Sequence, residues 1–554
     1  MPELTDIVSL LFKSEFVEET WILIKIIFPL YLIEVLFTLI YQISDIFAGY
    51  LPQKNSELLA AVSLTESIVI FIGHYVFLNI TSALYTLASQ ANGAQENKYL
   101  GLLVQRSIWI SFLLSIPITI VWLNTENILA IFNQDRNIIE LASKYMSVSY
   151  AIIPAFILTF SLENLIEMMD VLYPMVVVYI LGNVVAAIVG YITCFVLDWG
   201  IYAIPIIPIS AFYTIAIATF FYCKYSSLFK RIWPGWKWAG FKQWKTYLYY
   251  GVPILLTEWG LNIQVYASGF IIGVSAENTT IALSVNAIMI SLDMITYALS
   301  SSLSIAASVR VGNLIGEGRT ELVKQSIITL CSITIVLSLL QAVLLYSTRD
   351  VIGRAFTNNN NVIHGVSEVI LLLAISHPLD SLFGFIQGVL RGMGRQDYGI
   401  LITISDMIVS LPVSIILTIG FRMGVWGYWL GLVCGCVVSL VFSVVLFTCC
   451  KGKFMDLGRV EMPFVSNEAR QLVDNEANEI ESASMESSLL INDEFNTSYP
   501  NGRIPYCKIF LFITLLLFMI LTLGCKFSEN KLVIELNRTY LKVPLDFCCI
   551  QLKP

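Results

Sequence analysis

The chain has 554 residues, 57% hydrophobic and 13% charged, with a mean hydropathy of +0.77 and a formal net charge of −8. A soluble domain carries roughly a quarter charged residues, and here the apolar residues come in runs of about twenty, the length that crosses a bilayer. These features exclude a soluble globular protein, and the acidic balance gives no footprint for a nucleic-acid partner.

The N-terminus carries charges throughout and lacks a clean signal-peptide pattern, so the first span is expected to act as the anchor. In chain order, spans are expected near 22–50, 57–84, 103–123, 143–168, 172–197, 201–223, 246–275, 280–308, 323–346, 366–390, 397–420, 425–450 and 504–525. With the N-terminus inside, the even-numbered loops hold fifteen Lys and Arg and the odd-numbered loops six. Positive charge marks the cytosolic side. The sequons at Asn278 and Asn537 then fall on the opposite side, where glycosylation occurs.

The expected order is a cytosolic N-terminus at 1–21, an N-terminal lobe at 22–223, a cytosolic inter-lobe linker at 224–245 and a C-terminal lobe at 246–450. An acidic, Ser- and Asn-rich cytosolic linker at 451–503 follows, with the composition of a disordered segment. Then come span thirteen at 504–525 and a non-cytosolic tail at 526–554. Cys449 and Cys450 are palmitoylation candidates. The stretch from Glu486 to Ile491 has the form of an acidic dileucine sorting signal, with a chance match as the alternative. The other span cysteines, among them Cys434 and Cys436, are expected to pack, and no Cys/His spacing suggests a metal site.

The two halves repeat. Pro29 and Pro253, Pro154 and Pro378, and Gly49 and Gly273 all stand 224 residues apart. Setting Ser89 on Ser308 also sets Gly93 on Gly312. Spans one to six and seven to twelve thus form two copies of one six-helix unit. Both copies start on the cytosolic side, which makes them parallel repeats about an axis along the membrane normal, and such bundles place a site at the repeat interface.

Acids inside the spans are the functional candidates, because a carboxylate at the bilayer centre costs about 2.5–3.5 kcal/mol on insertion scales. Glu258 lies mid-span after Pro253, near Trp259 and Asn262, and an acid beside an aromatic suits an organic cation. The repeat pairs Glu258 with Glu34. Asp380 follows His377 by three residues, on one helix face, and such a pair can hold or pass a proton, with a helix-capping or packing role near Pro378 as the alternative for His377. Asp45, Asp293 and Glu163 are further candidates. Glu167 and Asp170 are expected to be a solvated helix end, and Arg310 and Arg391 to be anchors at cytosolic helix ends.

The stretches SALYTLASQANGAQENKYLGLLVQRS, AASVRVGNLIGEG and ISHPLDSLFGFIQGVLRGMGRQ resemble signature segments of the multidrug and toxin extrusion (MATE) family. The resemblance covers spans one to twelve, and a thirteenth span is similar to animal members. It implies an all-α polytopic membrane protein of two six-helix lobes related by a pseudo-twofold along the membrane normal, plus one extra C-terminal helix. It also implies antiport, with a proton (or in some members sodium) entering as an organic cation leaves. Glu258 matches the family's span-seven acid, Asp380 its span-ten acid and Asp45 the span-one aspartate of bacterial and archaeal members. Where animal cation exporters often carry a second span-seven acid, this chain has Ile263. Near their span-eight acid it has Ser291, with Asp293 two residues on.

The expected function is a monomeric secondary antiporter for organic cations with no cofactor beyond a coupling proton or sodium ion, in the plasma membrane or else an endosomal or lysosomal one. No G-x-x-x-x-G-K-[ST] phosphate loop points to ATP hydrolysis. The rival within the same superfold is a flippase for lipid-linked substrates, which should show a cationic cavity. A membrane-embedded enzyme would need a His/Asp or His/Glu constellation, and only His74, His364 and His377 are present. A receptor would not explain the repeat.

Overall fold

The computed structural model describes residues 14–51, 56–131, 136–275, 279–357 and 359–449. The thirteenth span, the acidic linker, the tail and both sequons lie outside the described residues.

Twelve long helices follow one another. In the N-terminal half they are α1 Ser14–Tyr50, α2 Ala61–Gly93, α3 Asn97–Leu123, α4 Arg136–Met168, α5 Tyr173–Val196 and α6 Gly200–Tyr225. In the C-terminal half they are α7 Trp244–Ser275, α8 Thr279–Gly316, α9 Thr320–Phe356, α10 Asn360–Gly392, α11 Gln396–Gly420 and α12 Gly424–Cys449. Eleven are long and apolar enough to cross a membrane. The twelfth, α7, spans 32 residues but is not among the eleven. No strand occurs among the described residues.

Helices are what the composition allows in lipid, where each backbone N–H and C=O must be satisfied within its own segment. Ser and Thr hydroxyls are satisfied the same way: Thr65 donates to the carbonyl of Ala61 at 2.6 Å and Ser443 to that of Ser439 at 2.7 Å. Several helices run past the expected spans. Span nine, expected at 323–346, is Thr320–Phe356, and span ten, expected at 366–390, is Asn360–Gly392. Hydropathy reports only the stretch in hydrocarbon, whereas the helix continues until a cap or turn stops it. Asn359 caps α10 by accepting from the Asn361 N–H at 3.0 Å.

The chain forms two six-helix lobes about a pseudo-twofold along the membrane normal. The lobes meet where α2 and α8, equivalent in the repeat, cross at the end assigned to the cytosol. A Cβ added to Gly93 would sit 2.1 Å from the Asn313 carbonyl oxygen, and one added to Gly316 would sit 2.2 Å from that of Gln90. Only glycine allows this approach. Ser308 donates to the Tyr85 carbonyl at 3.2 Å, Gln90 to that of Gly392 at 3.0 Å and Thr86 to that of Arg391 at 2.7 Å. Arg310 does not act as a lone anchor. It forms a two-pronged pair with Glu19 of α1 at 2.8 and 2.7 Å, and Ser326 of α9 donates to the same carboxylate. This end is sealed by backbone proximity and by a buried ion pair between the lobes.

Candidate substrate and coupling site

Above that seal lies a cavity of about 260 Å³ lined from α1, α2, α7, α8, α10, α11 and α12. Its size is near the lower end of small-molecule pockets, roughly 300–1,000 Å³. Six of the eight expected site residues line it: Glu34, Glu258, Asn262, Asp293, His377 and Asp380. The repeat-related acids Glu34 and Glu258 face the same space from opposite lobes.

Glu34 sits midway along α1, five residues after Pro29, and accepts from Ser301 of α8 at 2.7 Å. Glu258 holds the same place on α7. Tyr297 donates to its Oε2 at 3.1 Å, and Arg391 of α10 donates to its Oε1. Asn262, one turn on, donates to the Glu258 carbonyl at 2.8 Å. The side chains of Arg391 and Glu258 are only 9% and 12% exposed, so this pair is part of the site and Arg391 is not an interfacial anchor. The pairing arises because α10 brings Arg391 into the lobe interface, where its carbonyl takes the Thr86 bond and its side chain points into the cavity.

Asp380, three turns from Arg391 on α10, accepts from the Cys436 thiol at 2.8 Å. Cys436, expected only to pack, thus lines the cavity beside Asp380. His377 is buried and its Nε2 lies 3.4 Å from Ser381 Oγ; no hydrogen bond joins it to Asp380. The two share a face but are not a bonded pair. Asp293 of α8 lines the cavity with no side-chain partner among the described residues.

Two expected residues lie off the cavity. Trp259 turns to α2, stacks on Phe71 with centroids 5.1 Å apart and donates to the Phe71 carbonyl at 3.0 Å. It joins the lobes instead of cradling a cation beside Glu258. Asp45 is absent from the cavity lining, as is Glu66 of α2, whose Oε1 is buried without a hydrogen-bond partner. Ile263, where a second acid was sought, is 6% exposed and faces away from the cavity.

Sequence reasoning missed Asp406. It sits in the apolar run ITISDMIVSLP of α11, lines the cavity and accepts from Gln264 of α7 at 2.7 Å. The rule that singled out Asp380 would have found it. Glu167 also departs from its reading as a solvated helix end. It is 3% exposed and accepts from Tyr85 at 3.0 Å, one turn from Glu163, which accepts from Tyr179 at 2.7 Å. Asp170 is exposed, as expected.

The cavity thus gathers five carboxyl groups against one guanidinium and two buried imidazoles, His74 and His377. Such a chamber attracts cations and rejects anions.

A family model for MatE matches residues 29–192 and 262–416, one stretch in each half. Multidrug and toxin extrusion protein 1 of Pongo abelii is 31% identical over 439 residues, covering 78% of this chain and 75% of that protein. The same-named protein of Homo sapiens is 30% identical with the same coverage. Among solved structures, the eukaryotic MATE transporter AtDTX14 superposes with a TM-score of 0.72 at 23% identity, covering 83% of this chain and 99% of that one. An outward-facing multidrug resistance MATE family transporter gives 0.70 at 15% identity, with 80% and 97% coverage.

Proposed function

The chain belongs to the MatE family, and on that premise we propose that it is a multidrug efflux antiporter that exports organic cations in exchange for protons, sodium being the alternative coupling ion. The observation that carries this reading is the excess of acids in one cavity at the lobe interface. A flippase for lipid-linked phosphates would need that excess reversed.

Glu258 is already occupied, by Arg391 and Tyr297. An arriving organic cation competes with the guanidinium for that carboxylate, and a proton on Glu258 releases it. Asp293, Asp380 and Asp406 carry no base of their own and supply the remaining attraction. With the α2–α8 contact closed, the cavity is cut off from the cytosol. Rocking of the lobes about the repeat axis would open that side in turn. The plasma membrane is the proposed location, with an endosomal or lysosomal membrane as the alternative, and the chain works as a monomer.

The test is efflux of a fluorescent organic cation from proteoliposomes under an imposed pH gradient, then under a sodium gradient. Efflux driven by an opposing proton gradient supports the reading. Efflux driven by sodium alone reassigns the coupling ion, and no cation movement under either gradient overturns it.

A further inference from the structure

Between the lobes, residues 224–245 hold seven aromatics and six Lys or Arg with no acid among them. The tract is basic and interleaved with aromatics.

The segment is folded onto α3. Gln105 donates to the Gly235 carbonyl at 2.6 Å and accepts from the Lys237 N–H at 3.0 Å. Arg106 donates to Gln243 at 2.8 Å. Trp109 of α3 contacts Phe241 and Trp236, with centroids 4.5 and 6.1 Å away. Held this way, the segment still leaves Trp238 83% and Trp236 62% exposed, and Trp238 exceeds every other large apolar side chain among the described residues. Lys230, Arg231 and Lys242 are exposed in the same segment.

The level of this cluster is set by its neighbour. On α3 the linker covers the cytosolic turns up to Trp109, and the exposed apolar face begins one turn later, at Phe112 and Leu113, and continues through Ile116 and Ile120. That face meets lipid tails. The tryptophans therefore stand where the tails end, the depth their amphipathic rings prefer. The cations lie in the same segment, at the depth of headgroup phosphates.

We propose that the inter-lobe linker is a binding surface for anionic phospholipids of the cytosolic leaflet, with Trp236 and Trp238 seated at the tail–headgroup boundary and Lys230, Arg231 and Lys242 pairing with headgroup phosphates and carboxylates. Each such cation near an anionic surface contributes about 1 kcal/mol, roughly fivefold in local lipid association. A neutral aromatic anchor alone would show no preference among headgroups.

The test uses the full chain in bilayers containing spin-labelled phosphatidylserine or phosphatidylcholine. The wild type should associate with phosphatidylserine severalfold more strongly. The triple variant Lys230→Gln, Arg231→Gln, Lys242→Gln should fall to near parity, while Lys144→Gln at the opposite end keeps the preference. Equal association of both lipids with the wild type, or a preference that survives the triple variant, overturns the proposal. A second measurement does not depend on charge variants. Phosphatidylserine with brominated chains should quench the emission that Trp236→Phe plus Trp238→Phe removes, and absence of quenching of that component would also overturn it.

Discussion

Gly316→Ala should pry the two lobes apart at the cytosolic end. The new Cβ would lie 2.2 Å from the Gln90 carbonyl oxygen and 2.9 Å from Gly93 Cα, both backbone atoms that no rotamer change can move. To reach the 3.4 Å of ordinary contact, α2 and α8 must separate by about 1.2 Å. Gly312 is a less direct choice, because an added Cβ there meets the side chain of Ser89, its hydroxyl and its Cβ, before any backbone atom. Overpacking of this kind costs typically 1–3 kcal/mol. Here the strain exists only while the seal is closed, so the equilibrium between sealed and open should shift by about 5–150-fold. Spin labels at the exposed positions Gln95 and Arg319, on opposite lobes beside the seal, report the distance by pulsed electron resonance. The expected result is growth of a long-distance population in Gly316→Ala and none in Gly269→Ala, where an added Cβ meets nothing within 4 Å. An unchanged distribution in Gly316→Ala would refute the claim that this contact holds the lobes together.

Four further outcomes follow from the site and the topology. Glu258→Gln should abolish export and destabilise the protein by roughly 3–5 kcal/mol, since it leaves Arg391 buried without a counter-charge; adding Arg391→Gln should restore stability but not export, as read by thermal unfolding and vesicle efflux. Asp380→Asn should block coupled export while Asp380→Glu largely keeps it, and Asp406→Asn should raise the half-saturating concentration of a cationic substrate about tenfold, the equivalent of ~1.4 kcal/mol. Asn537→Gln should remove a glycan-dependent gel shift, with no shift at Asn496, if the tail lies outside the cytosol as the Lys and Arg distribution requires.

The fold was legible because it rests on two coarse signals, apolar runs of bilayer length and a residue spacing repeated between the halves. Neither depends on any single contact. The chemistry-bearing acids were legible for a related reason: a carboxylate in an apolar run stands out whatever its neighbours are. Partners were not legible. Arg391 looks in the sequence like any basic residue at a cytosolic helix end, and only the crossing of α7 and α10 brings it to Glu258. Trp259 adjoins Glu258 in the chain, yet consecutive residues on a helix point about 100° apart, so the ring faces Phe71 and the acid faces the cavity. The i, i+3 spacing put His377 and Asp380 on one face without joining them, because Ser381 and Cys436 supplied nearer partners.

The polarity of α7 bears on how the protein is made. Thr257, Glu258, Asn262 and Gln264 fall within eight residues of one another, and α7 is the one helix of the twelve that is not among those apolar enough to cross alone. The groups that satisfy Glu258 and Gln264, namely Tyr297, Arg391 and Asp406, belong to α8, α10 and α11, which leave the ribosome later. Until those helices arrive, α7 sits in lipid with an unpaired carboxylate, against a penalty of about 2.5–3.5 kcal/mol. Maturation of the C-terminal lobe should therefore wait on these later helices, and a chain interrupted before α10 should leave α7 poorly integrated. Apolar substitutions along this stretch would ease biogenesis and empty the site of its chemistry, so yield and activity draw on the same few residues in opposite directions.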